Sequence, residues 1–401
     1  MVDAGKRFEY APSPAARSLP MEGLRGVAVL LVFLVHYCSG VQVYLSGKAL
    51  MLADGIHLLG NVGVDLFFVL SGYLIYGALM RRPQPFADFM ARRVRRLYPA
   101  FAVVMAAYLV LSHILPAESK LPSGGREAAA YILANLLLMP GIFPIQPIIT
   151  VAWSLSYEMA FYVTLPALVG GLRLRAWPAP VRVAVFLAAV VLAQVMHLPH
   201  PRIGMFVCGM LLVEAMPALC AVAALRTRLD AAAIVAVPLC ATALLYRSAG
   251  AFEALFLTCF LLCAAALAGR GPVARSLSMR PLRWLGNMSY SYYLLHGLML
   301  KAMFFALSHL PVAQHLGNAA LWVLLPPAFA VTVGGSVALF LTVEWPLSLR
   351  PRDATGPATP VAAATTSDAS PEAIGPVLVR SRPGGLDASA EGSARLPSAP
   401  A

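Results

Sequence analysis

The stretch MEGLRGVAVLLVFLVHY, Met21 to Tyr37, is apolar enough to cross a bilayer, yet it carries Glu22 and Arg25 near one end and His36 near the other. A charged side chain at the middle of a membrane helix costs about 2.5–3.5 kcal/mol or more, so such groups are kept where they have a partner or a task. At ~100° per residue, eleven residues bring Arg25 and His36 back to nearly the same face, about 16 Å apart along the axis. One wall of this helix therefore offers a guanidinium at the mouth and an imidazole deeper in.

The rest of the chain sets that helix among many. Hydrophobic residues make up 60% of the 401 and charged residues 12%. That is about half the charged share usual in a soluble domain, which identifies an integral membrane protein. The apolar runs are continuous rather than alternating, so the spans are helices and not barrel strands. Runs 24–45, 58–79, 97–116, 153–172, 182–198, 203–222, 231–246, 251–269, 284–308 and 320–343 approach the ~20 residues a crossing needs. The expected fold is all-α and polytopic, with about ten transmembrane helices. The six cysteines lie in apolar runs without zinc spacing and read as small buried residues. The first apolar run lacks a small-residue cleavage site, so it is expected to be a retained helix.

A net charge of +12 could suggest nucleic acid, but the arginines cluster in short loops between apolar runs, which is a topology signal. RRPQPFADFMARRVRR holds six, RLRAWPAPVR three, RTRLD two and RGPVARSLSMRPLR four. With ten crossings every one of these loops, and both termini, faces the cytoplasm. A further crossing by 128–140 would invert the later loops, so 128–149 is expected to be a re-entrant or lid segment on the outer side. No nucleic-acid partner is expected. Residues 1–20 are read as a cytoplasmic N-terminal segment, 21–350 as the membrane domain, and the Pro-, Ala- and Ser-rich 351–401 as a disordered cytoplasmic tail.

Other titratable groups fall inside the spans. Asp65, Glu158 and His296 are placed at depths comparable to His36, which makes a buried polar site the default reading. Structural alternatives stay open: Asp65 pairs with Arg25 or caps His36, and His296 is satisfied by neighbouring tyrosines and serines. In RRVRRLYP, Arg93 and Arg96 share a face at i, i+3. Together with Arg25 they suit a phosphate-bearing ligand, because guanidinium binds phosphate bidentately. There is no phosphate-binding glycine loop and no metal-ligand spacing, so ATP hydrolysis, nicotinamide chemistry and a metal are not expected.

These segments, in this order, resemble the acyltransferase-3 family of integral membrane acyltransferases, O-acyltransferases of envelope and exported glycans. LRGVAVLLVFLVHY looks like its Arg-x10-His opening, GVDLFFVLSGYLI its second-helix motif and FMARRVRRLYP its Arg-x-x-Arg stretch. AWSLSYEMAFY, LGNMSYSYYLLH and VEWP resemble its later motifs, and the match covers about residues 20–350. One departure stands out: where the family often has a second acid followed by glutamine after Glu158, this chain has Met159 and Ala160. It also lacks the soluble hydrolase-like domain that some members append, so transfer is expected within the membrane domain.

The resemblance implies a membrane-bound enzyme moving an acyl group, acetyl by family default, from acyl-CoA to a hydroxyl of a carbohydrate or lipid-linked glycan at the inner membrane. Arg25, Arg93 and Arg96 would hold the acyl-CoA phosphates. His36 would act as general base or transient acyl carrier, with Asp65 or Glu158 orienting it. Trp153, Tyr162 and His296 are expected to bind substrate. The expected partners are acyl-CoA (acetyl-CoA by default), the glycan and membrane lipid, and a homodimer is compatible with this. The alternative is a polytopic transporter or flippase for a glycan or lipid-linked substrate, lowered by the absence of an inverted repeat.

Overall fold

Residues 7–9, 18–197, 201–269, 271–311 and 315–350 are described in a computed structural model. The expected tail, 351–401, and most of the N-terminal segment, 1–20, lie outside the described residues. Among the described residues the chain is helical, and a lone β-bridge joins Pro140 to Phe143.

The first helix, α1 (Leu19–Val41), starts with Pro20 in its first turn, where no intrahelical donor is lost. A 3-10 turn leads to α2 (Gly47–Gly60) and α3 (Val62–Arg81), which read together as one span, 47–81, interrupted at Asn61. Then come α4 (Phe86–Ile114), α5 (Gly125–Leu136), α6 (Trp153–Gly171) and α7 (Ala179–Val195). They are followed by α8 (Gly204–Ala221), α9 (Ala223–Leu245), α10 (Ala251–Ala268), α11 (Pro272–Leu277) and α12 (Arg280–Asn287). The last are α13 (Ser289–Ser308), the single turn α14 (Ala320–Val323) and α15 (Leu325–Leu339), which widens into a π-helical stretch, Phe340–Leu349.

Each of the ten expected runs contains helix among the described residues. Seven helices or helix pairs among the described residues are long and apolar enough to cross a membrane, so the protein is multi-pass. The other three expected spans are α6, α7 and α13. At 17 residues α7 is short, while α6 and α13 are diluted by the serines, tyrosines, Glu158 and His296 that build the site. Two boundaries differ from expectation. The third span starts at Phe86 rather than 97, so the arginine cluster lies inside the helix. The stretch before the second span, expected to be a loop, is helix α2.

Helix α1 sits at the centre, against α2, α3, α10, α11, α12 and α13. Its closest crossings use glycine. A Cβ on Gly286 of α12 would lie 1.8 Å from the Glu22 carbonyl oxygen, and one on Gly26 2.0 Å from that of Leu282. In α3 and α8, Gly72 and Gly209 meet the partner backbone in the same way, each 2.1 Å from a carbonyl oxygen. Apolar surface drives little helix association in lipid, so close backbone approach of this kind provides the packing contact. Many large apolar side chains, Val110, Val191 and Leu239 among them, are exposed, as expected of lipid-facing surface.

The segment 128–149 does not cross. Helix α5 has 12 residues, about 18 Å of rise against a hydrocarbon core of about 30 Å. Its end is fixed by the Tyr98 hydroxyl, which donates to the Leu136 carbonyl at 2.9 Å. The return strand of irregular chain is tied by side chains: Asn135 Oδ1 accepts from the Ile148 amide at 2.7 Å, and Tyr131 donates to Gln146 O at 2.7 Å. Lys120 Nζ donates to Pro147 O at 2.8 Å, and Tyr157 to Gly141 O at 2.9 Å. Irregular backbone beside a membrane survives when its polar groups are bonded in this way.

Candidate active site

A narrow cavity of about 80 Å³ lies between α1, α3, α6 and the start of α13, lined by Arg25, Ser71, Ser154, Glu158, Ser289 and Tyr293 together with apolar neighbours. Arg25 reaches it because α12 and α13 run beside α1: its Nη2 donates to Ser289 Oγ at 3.0 Å. No carboxylate approaches its guanidinium within 4 Å among the described residues, so most of its donors stay available. Across the cavity, Glu158 Oε1 accepts from Ser71 Oγ at 2.9 Å and from the Tyr162 hydroxyl. Its second oxygen has no protein partner among the described residues. A cation and a carboxylate thus face one another over a largely apolar cleft without closing on each other, an arrangement suited to a ligand carrying both acceptors and donors.

His36 lies about three turns along α1 from Arg25 and is half-buried. Its Nδ1 is 3.0 Å from the Val32 carbonyl oxygen one turn back, and 3.3 Å from Nε2 of His296. The rings stand nearly perpendicular, centroids 4.9 Å apart. His36 Nε2 has no hydrogen-bond partner among the described residues. Tyr293 stands between cavity and histidines: it lines the cavity, its hydroxyl bonds Ser154 Oγ at 2.6 Å, and its ring is 6.1 Å from that of His296. His36 itself is not among the cavity-lining residues.

On the arginine-rich face, Arg93 and Arg96 turn inward from α4 while Arg92 and Arg95 are exposed. The two inward residues differ in company. Arg96 Nη1 donates to Glu344 Oε1 at 2.7 Å, and Glu344 is fully buried. The π-helical stretch turns this acid inward, where Oε2 also accepts from the Ser291 amide at 3.0 Å and from Ser291 Oγ at 2.5 Å. Among the described residues Arg93 has no such acid: its guanidinium lies over the rings of Phe89 and Tyr162, 5.1 and 5.4 Å from their centroids, and its buried Nε has no hydrogen bond.

The remaining expected residues sit elsewhere. Asp65 is buried on α3, and its Oδ1 lies 3.7 Å from Arg202 Nε, not near Arg25 or His36. Arg202 in turn lies over Trp153, 5.6 Å from its ring centroid, and Trp153 meets Tyr157 edge-on. The expectation that Asp65 or Glu158 orients His36 is therefore corrected: Val32 and His296 hold the imidazole. His296 is fully buried, so it stands behind His36 rather than facing a substrate. Tyr162 is buried under Glu158 and Arg93 instead of lining the cavity. Arg25 and Glu158 are brought together, with Tyr162 and Arg93 adjoining.

Two residues escaped the sequence reading. Glu344 received no role, although an acid inside LFLTVEWPL is the intramembrane charge that asks for one. Nothing local to Arg202 in the sequence points to Asp65. The serines of the site, embedded in apolar helices at 71, 154, 289 and 291, gave a weaker signal of the same kind.

Known proteins bear on this arrangement. The family model described as an acyltransferase domain matches residues 20–341. The chain is similar to the exopolysaccharide production protein ExoZ of Rhizobium meliloti, 31% identical over 176 residues, covering 39% of this chain and 51% of that protein. It is 34% identical over 164 residues to the acyltransferase MdmB of Streptomyces mycarofaciens, covering 39% of this chain and 40% of the relative. With the O-acetyltransferase OatA of Staphylococcus aureus it shares 30% over 209 residues, 49% of this chain and 32% of the relative. The chain thus spans between about a third and a half of the length of these relatives. No solved structure matches. The family match extends over most of the chain, from the mouth of α1 past the cavity to the start of the π-helical stretch, and on that ground this multi-pass protein belongs to the acyltransferase-3 family.

Proposed function

We propose that the chain transfers an acyl group, acetyl by default, from acyl-CoA to a hydroxyl of a carbohydrate acceptor, with His36 as the proton-accepting group. The observation that carries this reading is the His36 imidazole. A carbonyl only accepts, so the bond to Val32 makes Nδ1 the N–H and leaves the lone pair on the unpartnered Nε2. That atom sits about 16 Å along α1 from the arginine-rich end.

The donor would enter at that end. Arg93, without an acid partner among the described residues, would take phosphate, and Arg25 would hold the arm or thioester in the cavity. A shift of Tyr293 would open the way from cavity to imidazole. The acceptor hydroxyl oxygen then attacks the thioester carbonyl carbon while its proton moves to His36 Nε2. As the C–S bond breaks, the same proton passes to the departing CoA sulfur, so the imidazole is restored. The names of ExoZ and OatA, a polysaccharide-production protein and an O-acetyltransferase, support a glycan acceptor. Short arginine-rich loops support an inner-membrane location with both ends of the membrane domain in the cytoplasm.

Thiol release tests this reading. Purified protein in proteoliposomes, given acetyl-CoA, should release free CoA thiol faster when a polysaccharide acceptor is added, and acetyl ester should appear on the glycan in equal amount. Glycan movement across the bilayer with no thiol release would contradict it.

A further inference from the structure

The use made of His296 is unexplained by any substrate contact, since the residue is fully buried. Its Nδ1 lies 2.9 Å from the Tyr292 carbonyl oxygen, so Nδ1 is the donor. Its Nε2 faces Nδ1 of His36 at 3.3 Å. Because His36 Nδ1 must also carry its proton to satisfy Val32, only one assignment makes every contact attractive. His296 is neutral with its lone pair on Nε2, and His36 Nδ1–H is shared between Val32 O and that lone pair. A doubly protonated His296 would set two N–H groups against each other.

The His296 ring has little freedom to leave this role. Tyr292 stacks against it with centroids 5.6 Å apart and 11° between planes. The Tyr292 hydroxyl is held by Thr332 Oγ1 at 2.8 Å. His57 on α2 also faces His36 electrostatically, but makes no hydrogen bond to it among the described residues.

We propose that His296 is a positioning residue: a locked, neutral hydrogen-bond acceptor that keeps His36 in the Nδ1–H tautomer and supports the imidazolium formed when Nε2 takes a proton. This rests on the proposed role of His36. It places an uncharged imidazole where soluble triads use a carboxylate, which spares the membrane interior a second charge.

Two replacements separate this role from packing. His296→Gln keeps an acceptor near the position of Nε2 but loses the ring, and His296→Phe keeps the ring but has no acceptor. Both are measured beside His36→Ala and His57→Gln, in protein verified to be inserted and monodisperse. The expected result is that His296→Phe lowers kcat by about 100-fold with KM for acetyl-CoA unchanged, while His296→Gln recovers at least tenfold of that loss. Nitrogen-15 spectra should show His36 as a single Nδ1–H tautomer in the unaltered protein and a measurable Nε2–H fraction in His296→Phe, where the Val32 carbonyl alone remains to hold the proton, with His57→Gln normal in both readouts. His296→Gln no better than His296→Phe would overturn the positioning role. Full activity of His36→Ala would instead remove the reading beneath it, so the two failures are distinguishable.

Discussion

Arg93 and Arg96 lie one turn apart on α4, yet among the described residues only Arg96 has an acid. Removing it would strand a fully buried carboxylate, so Arg96→Ala is expected to destabilise the fold by about 3 kcal/mol, seen as a lower melting temperature in detergent, with partial recovery in the Arg96→Ala/Glu344→Gln double variant. Arg93 gives up only stacking on Phe89 and Tyr162. Arg93→Ala should melt near the normal temperature but raise KM for acetyl-CoA by roughly tenfold or more, the worth of one charge-assisted contact. Equal KM values would remove Arg93 from the donor site. At this scale the sequence identified which groups matter better than whom they touch. The i, i+3 spacing correctly turned Arg93 and Arg96 to one face, because it depends only on helix periodicity. The partners of Asp65, Arg96 and His36 are 137, 248 and 260 residues away, set by helix packing that no local pattern encodes.

Helix contacts carry their own test. A Cβ on Gly72 would lie 2.1 Å from the Phe206 carbonyl oxygen, whereas one on Gly297 of α13 would meet nothing within 4 Å. Gly72→Ala should therefore force α3 and α8 apart at a cost of about 1–3 kcal/mol. Gly297→Ala should be neutral or slightly stabilising, since glycine is a poor helix former. Equal thermal stability of the two variants would contradict the close crossing. Hydrophobic run length located seven helices or helix pairs long and apolar enough to cross among the described residues, but not their ends, since α4 continues through its arginines and the second span begins at Gly47 rather than 58. Charged residues interrupt a hydropathy window without interrupting a helix, and snorkelling side chains tolerate the membrane edge. The non-crossing of 128–149 was legible from the arginine distribution. Its hydrogen-bond ties were not, because they join side chains to backbone groups 13 to 38 residues away.

For the whole molecule, arginine distribution predicts sidedness. Single cysteines placed at positions 84 and 275 in a cysteine-free background should react with an impermeant maleimide only from the cytoplasmic side, and one at 122 only from the opposite side. Labelling of 84 and 122 from the same side would overturn the topology. The site is built between α1 and the π-helical turn that ends at Leu349. A chain ending at Arg350 is thus expected to keep most of its transfer activity, and complete loss would assign the remainder a role in catalysis or assembly.

The most direct test of the account supplies acetyl-labelled acetyl-CoA only at the arginine-rich face of sealed proteoliposomes and follows label onto a polysaccharide confined to the other face, comparing the unaltered chain with His36→Ala. Transfer should be clear in the first and indistinguishable from protein-free vesicles in the second, with both proteins inserted equally. Undiminished transfer by His36→Ala would contradict the claim that the acceptor's proton leaves through that imidazole.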